Sequence, residues 1–281
     1  MHIFEQIGPF KEYLNSYRQD NRSITLVPTM GGLHEGHLKL IKKAKECSDV
    51  VVVSVFVNPT QFAANEDFEA YPKTLSEDKK ILEAIKVDAM FIPLDNEIYP
   101  DGSSNDYDVG EMGKILCGIS RPIHFNGVAQ VVARLFDIVK PNYAVFGEKD
   151  YQQLLIIKSL VERQGITTTI VSVPTVRESD GLAMSTRNNY LSSEDRAKAP
   201  LFYQKLVDTK AAIQGGTDIS RATEQAVDAL SEVFDVEYVE VLNANNLTQI
   251  TTSSSEIIII STVRLGKTRL IDNIVFRRSD V

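Results

Sequence analysis

Apolar and polar positions along this chain follow two rhythms, one suited to buried strands and one to helix faces. Ile24–Val27 is a short apolar run that reads as a strand. Leu38, Ile41, Ala44 and Cys47 then recur at three-residue spacing, which predicts a helix over His34–Cys47. Val50–Val57 is almost continuously apolar, as expected of a strand covered on both faces. Thr74-Leu75-Ser76-Glu77 has the pattern of a capping box, and Ile81, Leu82 and Ile85 mark the helix face behind it. Ala89–Ile92 is a further strand, stopped by Pro93. Val128, Val131, Val132, Leu135, Phe136 and Val139 form a helical stripe, and Tyr143–Phe146 and Thr168–Val173 complete the strand series. Repeated strand–helix–strand units predict an α/β fold, a parallel sheet with helices on both faces. Ligands of such sheets bind beyond the carboxyl ends of the strands.

After about Pro174 the rhythm changes. Ser193 to about Gln214 reads as one helix closed by Gly215-Gly216, and Ile219–Phe234 as a second. Val236–Leu242, Glu256–Val263 and Arg269–Phe276 read as strands, and Asn243–Ser255 as a polar loop. These elements predict a smaller α+β domain, with the chain divided into residues 1–175 and 176–281 and joined by a loop around Arg177–Asn189.

Composition narrows the function classes. At 281 residues the chain can bury a full-sized core. A formal net charge of −8 argues against general nucleic-acid binding, which leaves a basic footprint, but leaves room for a nucleotide held by a few local cations. The start Met1-His2-Ile3-Phe4-Glu5 has no signal-peptide pattern, and the apolar runs are too short to span a bilayer. Cys47 and Cys117 have no paired spacing and are expected to be reduced thiols in a cytoplasmic protein.

Four segments carry candidate chemistry. The first is Pro28-Thr29-Met30-Gly31-Gly32-Leu33-His34-Glu35-Gly36-His37, between a strand and a helix. Glycines there let a ligand approach the backbone, a helix start offers unpaired N–H groups and a positive dipole end, and two histidines sit on the same turn. The expected ligand is the phosphate chain of a nucleotide. Zinc fits poorly, since the metalloprotease helix needs histidines four apart and these are three apart. The second is Asn58-Pro59-Thr60-Gln61 at the end of the buried second strand. Its amides either recognise hydroxyl and carboxylate groups of a small substrate or bond to backbone in a turn. The third is Gly147-Glu148-Lys149-Asp150-Tyr151-Gln152-Gln153: Lys149 suits phosphate, Asp150 ribose hydroxyls and Gln153 the substrate. The fourth, Arg177–Asn188, offers Ser185 and Arg187 to phosphate oxygens, or else is a solvated linker. Arg121 either binds a carboxylate or makes a structural ion pair or subunit contact. Gly266-Lys267-Thr268 is not a Walker A loop, because Ser261 stands where that motif needs glycine.

Taken in order, these segments resemble the pantothenate synthetases (pantoate–β-alanine ligases) from about Leu26 to Asn189, with Gly32 and Thr186 where that family often has Ala and Ser. The resemblance implies a Rossmann-like, doubly wound domain of the nucleotidyltransferase superfamily and a smaller C-terminal domain acting as a lid. It implies that pantoate attacks ATP to give a pantoyl adenylate, from which β-alanine displaces AMP. By resemblance Met30, Gly31, Gly32, Leu33, His34, Glu35, Gly36, His37, Gly147, Glu148, Lys149, Asp150, Val176, Met184, Ser185, Thr186 and Arg187 bind ATP. His34, His37, Lys149 and Arg187 are the expected catalytic groups. Gln61 and Gln153, with Asn58 and Arg121, are the expected contacts to pantoate and β-alanine. Mg²⁺ would accompany the triphosphate, and the enzyme would be a homodimer. A transferase that stops after passing on AMP, and a non-catalytic nucleotide sensor, are the rival readings.

Overall fold

A computed structural model describes residues 1–64, 66–102 and 107–277. The chain divides into two compact units, Met1–Glu148 with Gln153–Pro174, and Lys149–Gln152 with Thr175–Val281.

The first unit is built on six parallel strands: β1 (His2–Phe4), β2 (Ile24–Thr29), β3 (Val50–Val55), β4 (Ala89–Phe91), β5 (Tyr143–Gly147) and β6 (Thr169–Val173). Between them run α1 (Ile7–Gln19), α2 (Glu35–Cys47), α3 (Leu75–Ala84), the single turns α4 (Asp95–Ile98) and α5 (Cys117–Ser120), α6 (His124–Val139) and α7 (Tyr151–Arg163). The apolar runs hide a period of two. Ile24, Leu26, Val50, Val52, Ala89, Phe91, Ala144 and Phe146 pack with α1, α6 and α7, whereas Val27, Val51, Val53, Val55, Met90 and Val145 pack with α2 and α3. Successive side chains of a strand point to opposite faces, so a sheet covered on both sides needs apolar residues at every position. Each large apolar side chain buried this way contributes about 1.5–3 kcal/mol, against about 0–1 kcal/mol for an exposed ion pair. The sandwich, not the surface charges, therefore fixes where the strand ends lie.

The strand order is β1-β4-β3-β2-β5-β6. From β2 the chain winds outward through β3 and β4, then returns to the other side of β2 with β5 and β6. The order reverses between β2 and β5, so the loops leaving their carboxyl ends flank the usual ligand crevice of a doubly wound sheet. Two of the four candidate segments begin there, and the Asn58 segment leaves β3, whose Val55 pairs with Thr29.

The second unit has an antiparallel sheet of β7 (Asp235–Asn243), β8 (Glu256–Leu265) and β9 (Thr268–Arg277), with α8 (Ser193–Lys198), α9 (Pro200–Gln214) and α10 (Ile219–Ser231). Phe202, Leu206, Ile213, Leu230, Ile259 and Phe276 lie in its core. The single helix predicted over Ser193–Gln214 is broken at Ala199, because Pro200 has no N–H to continue it and instead starts α9. The second predicted helix ends at Ser231 rather than Phe234, where the Val233 and Phe234 amides turn back to Leu230 O. Gly266 and Lys267 form the tight turn between β8 and β9, with Gly266 at φ +57°.

Candidate active site

In the glycine turn after β2, Gly31 and Gly32 have φ of +82° and +64°, a region side chains other than glycine rarely occupy. A Cβ on Gly31 would lie 3.0 Å from Asp78 Oδ2. Asp78, from α3 and 1% exposed, is the anchor of the turn. Its carboxylate accepts the Gly32 amide at 3.0 Å and the Leu33 amide at 2.8 Å. Thr74 serves the same turn, accepting from Gly32 N at 3.1 Å and donating to Asp78 at 3.2 Å. The predicted capping box is thereby corrected: α3 starts at Leu75, but the Thr74 side chain makes no cap hydrogen bond.

A second correction follows at the start of α2. His34 is its N-cap, and its Nδ1 accepts from Gly36 N at 3.1 Å. His37 Nδ1 accepts from His34 N at 3.3 Å. The amides of Gly32 and Leu33 donate to Asp78 of α3, and those of His34 and Gly36 donate within the turn itself, so they are not the unpaired anion donors expected from the sequence. With both Nδ1 atoms accepting, the neutral rings carry their proton on Nε2, and each is an N–H donor there. The two ring centres are 4.2 Å apart, with the planes tilted by 49°. Glu35 is exposed and pairs loosely with Lys39, 3.8 Å away.

Beside this turn lies a buried amide cluster. Asn58 is 1% exposed, and its whole hydrogen-bonding capacity is spent inside the protein. Its Nδ2 donates to Gln61 Oε1 and to Gly127 O, both at 3.1 Å. Its Oδ1 accepts from Tyr99 OH at 2.7 Å and Thr60 Oγ1 at 3.0 Å. These bonds make Asn58 the bracket that holds Gln61, the turn alternative of its two readings. Gln61 is 8% exposed, with Nε2 aimed at Met30 Sδ, 3.2 Å away. Sulfur is a weak acceptor, so an oxygen of a ligand competes well for that N–H. Gly127 must stay bare, since a Cβ would lie 2.4 Å from Thr60 O. Tyr99 escaped the sequence reading. Burial pushes its phenol above the ordinary value, which keeps the hydroxyl protonated and donating. A cleft of about 740 Å³, within the usual range for small-molecule sites, borders Met30, Gly31, Phe56 and Asp78.

Arg121 resolves to its structural alternative. Its Nη2 meets Glu66 Oε2 at 2.9 Å and its Nε meets Oε1, and the two side chains are only 14% and 19% exposed. Burial opposes ionisation of Glu66, but hydrogen bonding and charge from Arg121 outweigh it and hold the carboxyl below its ordinary range. The fork expected to receive a substrate carboxylate is already filled.

At the end of β5, a Cβ on Gly147 would meet only Leu40 Cδ2, at 3.9 Å, so the backbone there is open to close approach. Glu148 is turned to β6, where its carboxylate accepts from Ser172 Oγ at 2.7 Å. Gln153 lies half-buried in the first turn of α7.

The remaining predicted residues belong to the second unit. Although residues 1–175 were read as one domain, Lys149–Gln152 packs with the C-terminal elements. The Lys149 carbonyl accepts from Asn273 Nδ2 at 3.1 Å, and Asp150 is exposed. The segment after β6 is an ordered hairpin rather than a solvated linker. Met184 N bonds to Val176 O at 2.9 Å, Glu178 N to Leu182 O at 2.8 Å, and Gly181 turns at φ +95°. Ser185 Oγ accepts from Arg187 N at 3.3 Å, which leaves its O–H able to donate. Thr186 is buried and Arg187 half-buried. Arg177, which the sequence reading did not single out, roots the hairpin on Asp272 through bonds of 2.6 and 2.8 Å. Burial pushes the Asp272 carboxyl up, and the Arg177 fork pulls against it. The structure therefore gathers the candidates into two sets, one per unit. Among the described residues, no group of three or more His, Cys, Asp or Glu side chains is placed to hold a metal, and no helix is long and apolar enough to cross a membrane.

Comparison with known proteins gives one consistent result. The profile of the family described as Pantoate-beta-alanine ligase matches residues 2–275. A pantothenate synthetase of Vesicomyosocius okutanii is 48% identical over 269 residues, 96% of this chain and 95% of its own. One from Ruthia magnifica is 47% identical over 278 residues, 99% of this chain and 100% of its own. The crystal structure of pantothenate synthetase from Thermus thermophilus matches with a TM-score of 0.91 at 39% identity, covering 98% and 99% of the two chains. That of pantoate-beta-alanine ligase from Francisella tularensis, complexed with beta-gamma ATP and beta-alanine, matches with a TM-score of 0.82 at 38% identity, covering 98% and 97%.

Proposed function

The chain belongs to the pantoate-beta-alanine ligase family, and on that footing we propose how its residues divide the work. It is an ATP-dependent ligase that joins pantoate to β-alanine. The reaction runs in two steps. Pantoate attacks the α-phosphate of ATP, giving pantoyl adenylate and pyrophosphate. The amine of β-alanine then attacks the acyl carbon and AMP leaves.

The first step needs no base, because a carboxylate is already ionised at neutral pH. Its difficulty is charge, since one anion attacks another and a polyanion departs. Donors and cations fixed in advance are the remedy. His34 and His37 donate through Nε2 to the α-phosphate region. Lys149 and Arg187 neutralise the departing phosphates, and the Ser185 hydroxyl donates to them. Gln61 presents its N–H to pantoate, joined by Gln153. Asp150 accepts from the ribose, and backbone around Gly147, Val176 and Met184 lines the nucleotide. The smaller unit serves as the lid that the family resemblance implies.

Magnesium enters with the nucleotide. Mg²⁺ is commonly held by one or two carboxylates together with substrate phosphates, so it would be carried mainly by the phosphates of ATP. When bound, it offsets negative charge on the triphosphate. The reading includes a homodimer in the cytoplasm, where Cys47 and Cys117, thiols outside any disulfide, fit a reducing compartment.

One observation supports the chemistry most strongly: both Nδ1 atoms of the histidine pair accept backbone N–H groups, which puts the proton of each neutral ring on Nε2. The test is pyrophosphate release with ATP and pantoate alone, followed by AMP and amide once β-alanine is added. Pyrophosphate without amide would select the AMP transferase, and ATP binding without turnover would select the sensor.

A further inference from the structure

Two neighbouring residues on β9 hold both cation-bearing segments of the smaller unit. Asp272, 2% exposed, receives the Arg177 guanidinium in its two-bonded fork. Arg177 also donates to Gly181 O at 3.2 Å and lies 3.4 Å over the Tyr203 ring. The base of the hairpin leading to Ser185 and Arg187 is thereby fixed from three directions. Asn273, the next residue, donates to the Lys149 carbonyl. Successive side chains on a strand point to opposite faces, so one strand can hold one segment with each.

We propose that Asp272 and Asn273 are positioning residues that set the spacing of Lys149 and Arg187, so that the two cations meet a triphosphate as one preformed pair. The proposal rests on the phosphate roles given to Lys149 and Arg187 above. Its logic is preorganisation: a long charged side chain on a loose backbone must be ordered at the moment of binding, whereas an anchored one is ordered beforehand. The carbonyl that Asn273 holds belongs to Lys149 itself, which makes this bond the sharper probe of the two.

The test is a double-mutant cycle of Asn273→Ala with Lys149→Ala, read by pantoate-dependent pyrophosphate release. Asn273→Ala is expected to lower kcat/KM for ATP about 3- to 10-fold, the effect of losing one neutral hydrogen bond. The KM for pantoate stays within about twofold. In the Lys149→Ala background the same change costs less than about twofold, because the backbone bond remains but the ammonium whose place it sets is gone. A full penalty repeated in that background, or no penalty in the parent, overturns the proposal. A parent enzyme that releases no pyrophosphate with pantoate overturns the functional reading instead. Asn273→Leu, branched at the same carbon but larger and without the donor, repeats the cycle if the alanine variant does not fold.

Discussion

Tyr99 donates its hydroxyl to Asn58 Oδ1 at 2.7 Å, and that bond settles which way the amide of Gln61 faces. With Asn58 Oδ1 committed to Tyr99 and Thr60, Asn58 can offer Gln61 only its NH₂ group. Gln61 must then answer with Oε1 and turn its own NH₂ outward, toward Met30. A chain of three side chains thus fixes the Gln61 NH₂ group against Met30. Tyr99→Phe should raise the KM for pantoate about 3- to 10-fold, the effect of one neutral hydrogen bond, and leave the KM for ATP unchanged. Steady-state kinetics with each substrate varied in turn checks it; equal shifts for both substrates would mean a general loss of structure.

Removing either Nε2 donor should harm chemistry more than binding. His37→Ala is expected to slow pantoate-dependent pyrophosphate release by on the order of 10²-fold, as for other donors that act on charge developing in a transition state. His34→Ala carries an added cost of about 1 kcal/mol, since it also removes the N-cap of α2. Rapid-quench rates alongside thermal melts separate the two effects. A folded His37→Ala protein with near-normal release would remove the role given to that ring.

Asp78 should matter through the backbone it holds. Asp78→Ala leaves the amides of Gly32 and Leu33 without their buried carboxylate partner. Gly32 N keeps its Thr74 Oγ1 acceptor, so the loss falls on Leu33 N and costs about 1–3 kcal/mol. Asp78→Asn keeps the shape and one acceptor oxygen, so it should lie between the parent and Asp78→Ala. Denaturant melts rank the three proteins, and an Asp78→Ala protein as stable as the parent would contradict the anchoring role.

The Glu66–Arg121 pair predicts a pH signature. The folded Glu66 carboxyl lies below its ordinary value of 4.5, so it binds its proton less readily in the folded state than in the unfolded one. Its stabilising contribution is therefore complete above the unfolded value and is lost as the pH falls through the lowered folded value. Glu66→Gln should be less stable than the parent near neutral pH, and the gap should narrow on acidification below about pH 4.5. Melting temperatures of both proteins across that range test it; a gap that widens in acid reverses the sign and refutes the assignment.

What could be read from the sequence was whatever is written locally. Val50–Val55 declares a strand because every position is apolar or small, and the stripe from Val128 to Val139 declares α6. The elements that escaped lack such a signature. β1 is three residues long and exists through its pairing with β4. α1 carries Gly8 and Pro9 in its first turn, residues that read as a turn, although proline is tolerated at that end of a helix. Among the site residues, the glycine turn and its histidines were visible as a motif, but their hydrogen-bond partners were not. Asp78 reaches back 45 residues to Leu33, Tyr99 meets Asn58 across 41, and Arg177 finds Asp272 across 95. Only the fold brings these together, and the same holds for the protein partners of Asn58 and Arg121.

The central claim, attack by the pantoate carboxylate on the α-phosphate of ATP, is tested most directly with pantoate labelled with ¹⁸O in its carboxylate. During full turnover with ATP and β-alanine, one labelled oxygen is expected to appear in the phosphate of AMP, carried there when the adenylate is cleaved on its acyl side. AMP free of label, with all of the ¹⁸O recovered elsewhere, would contradict the account.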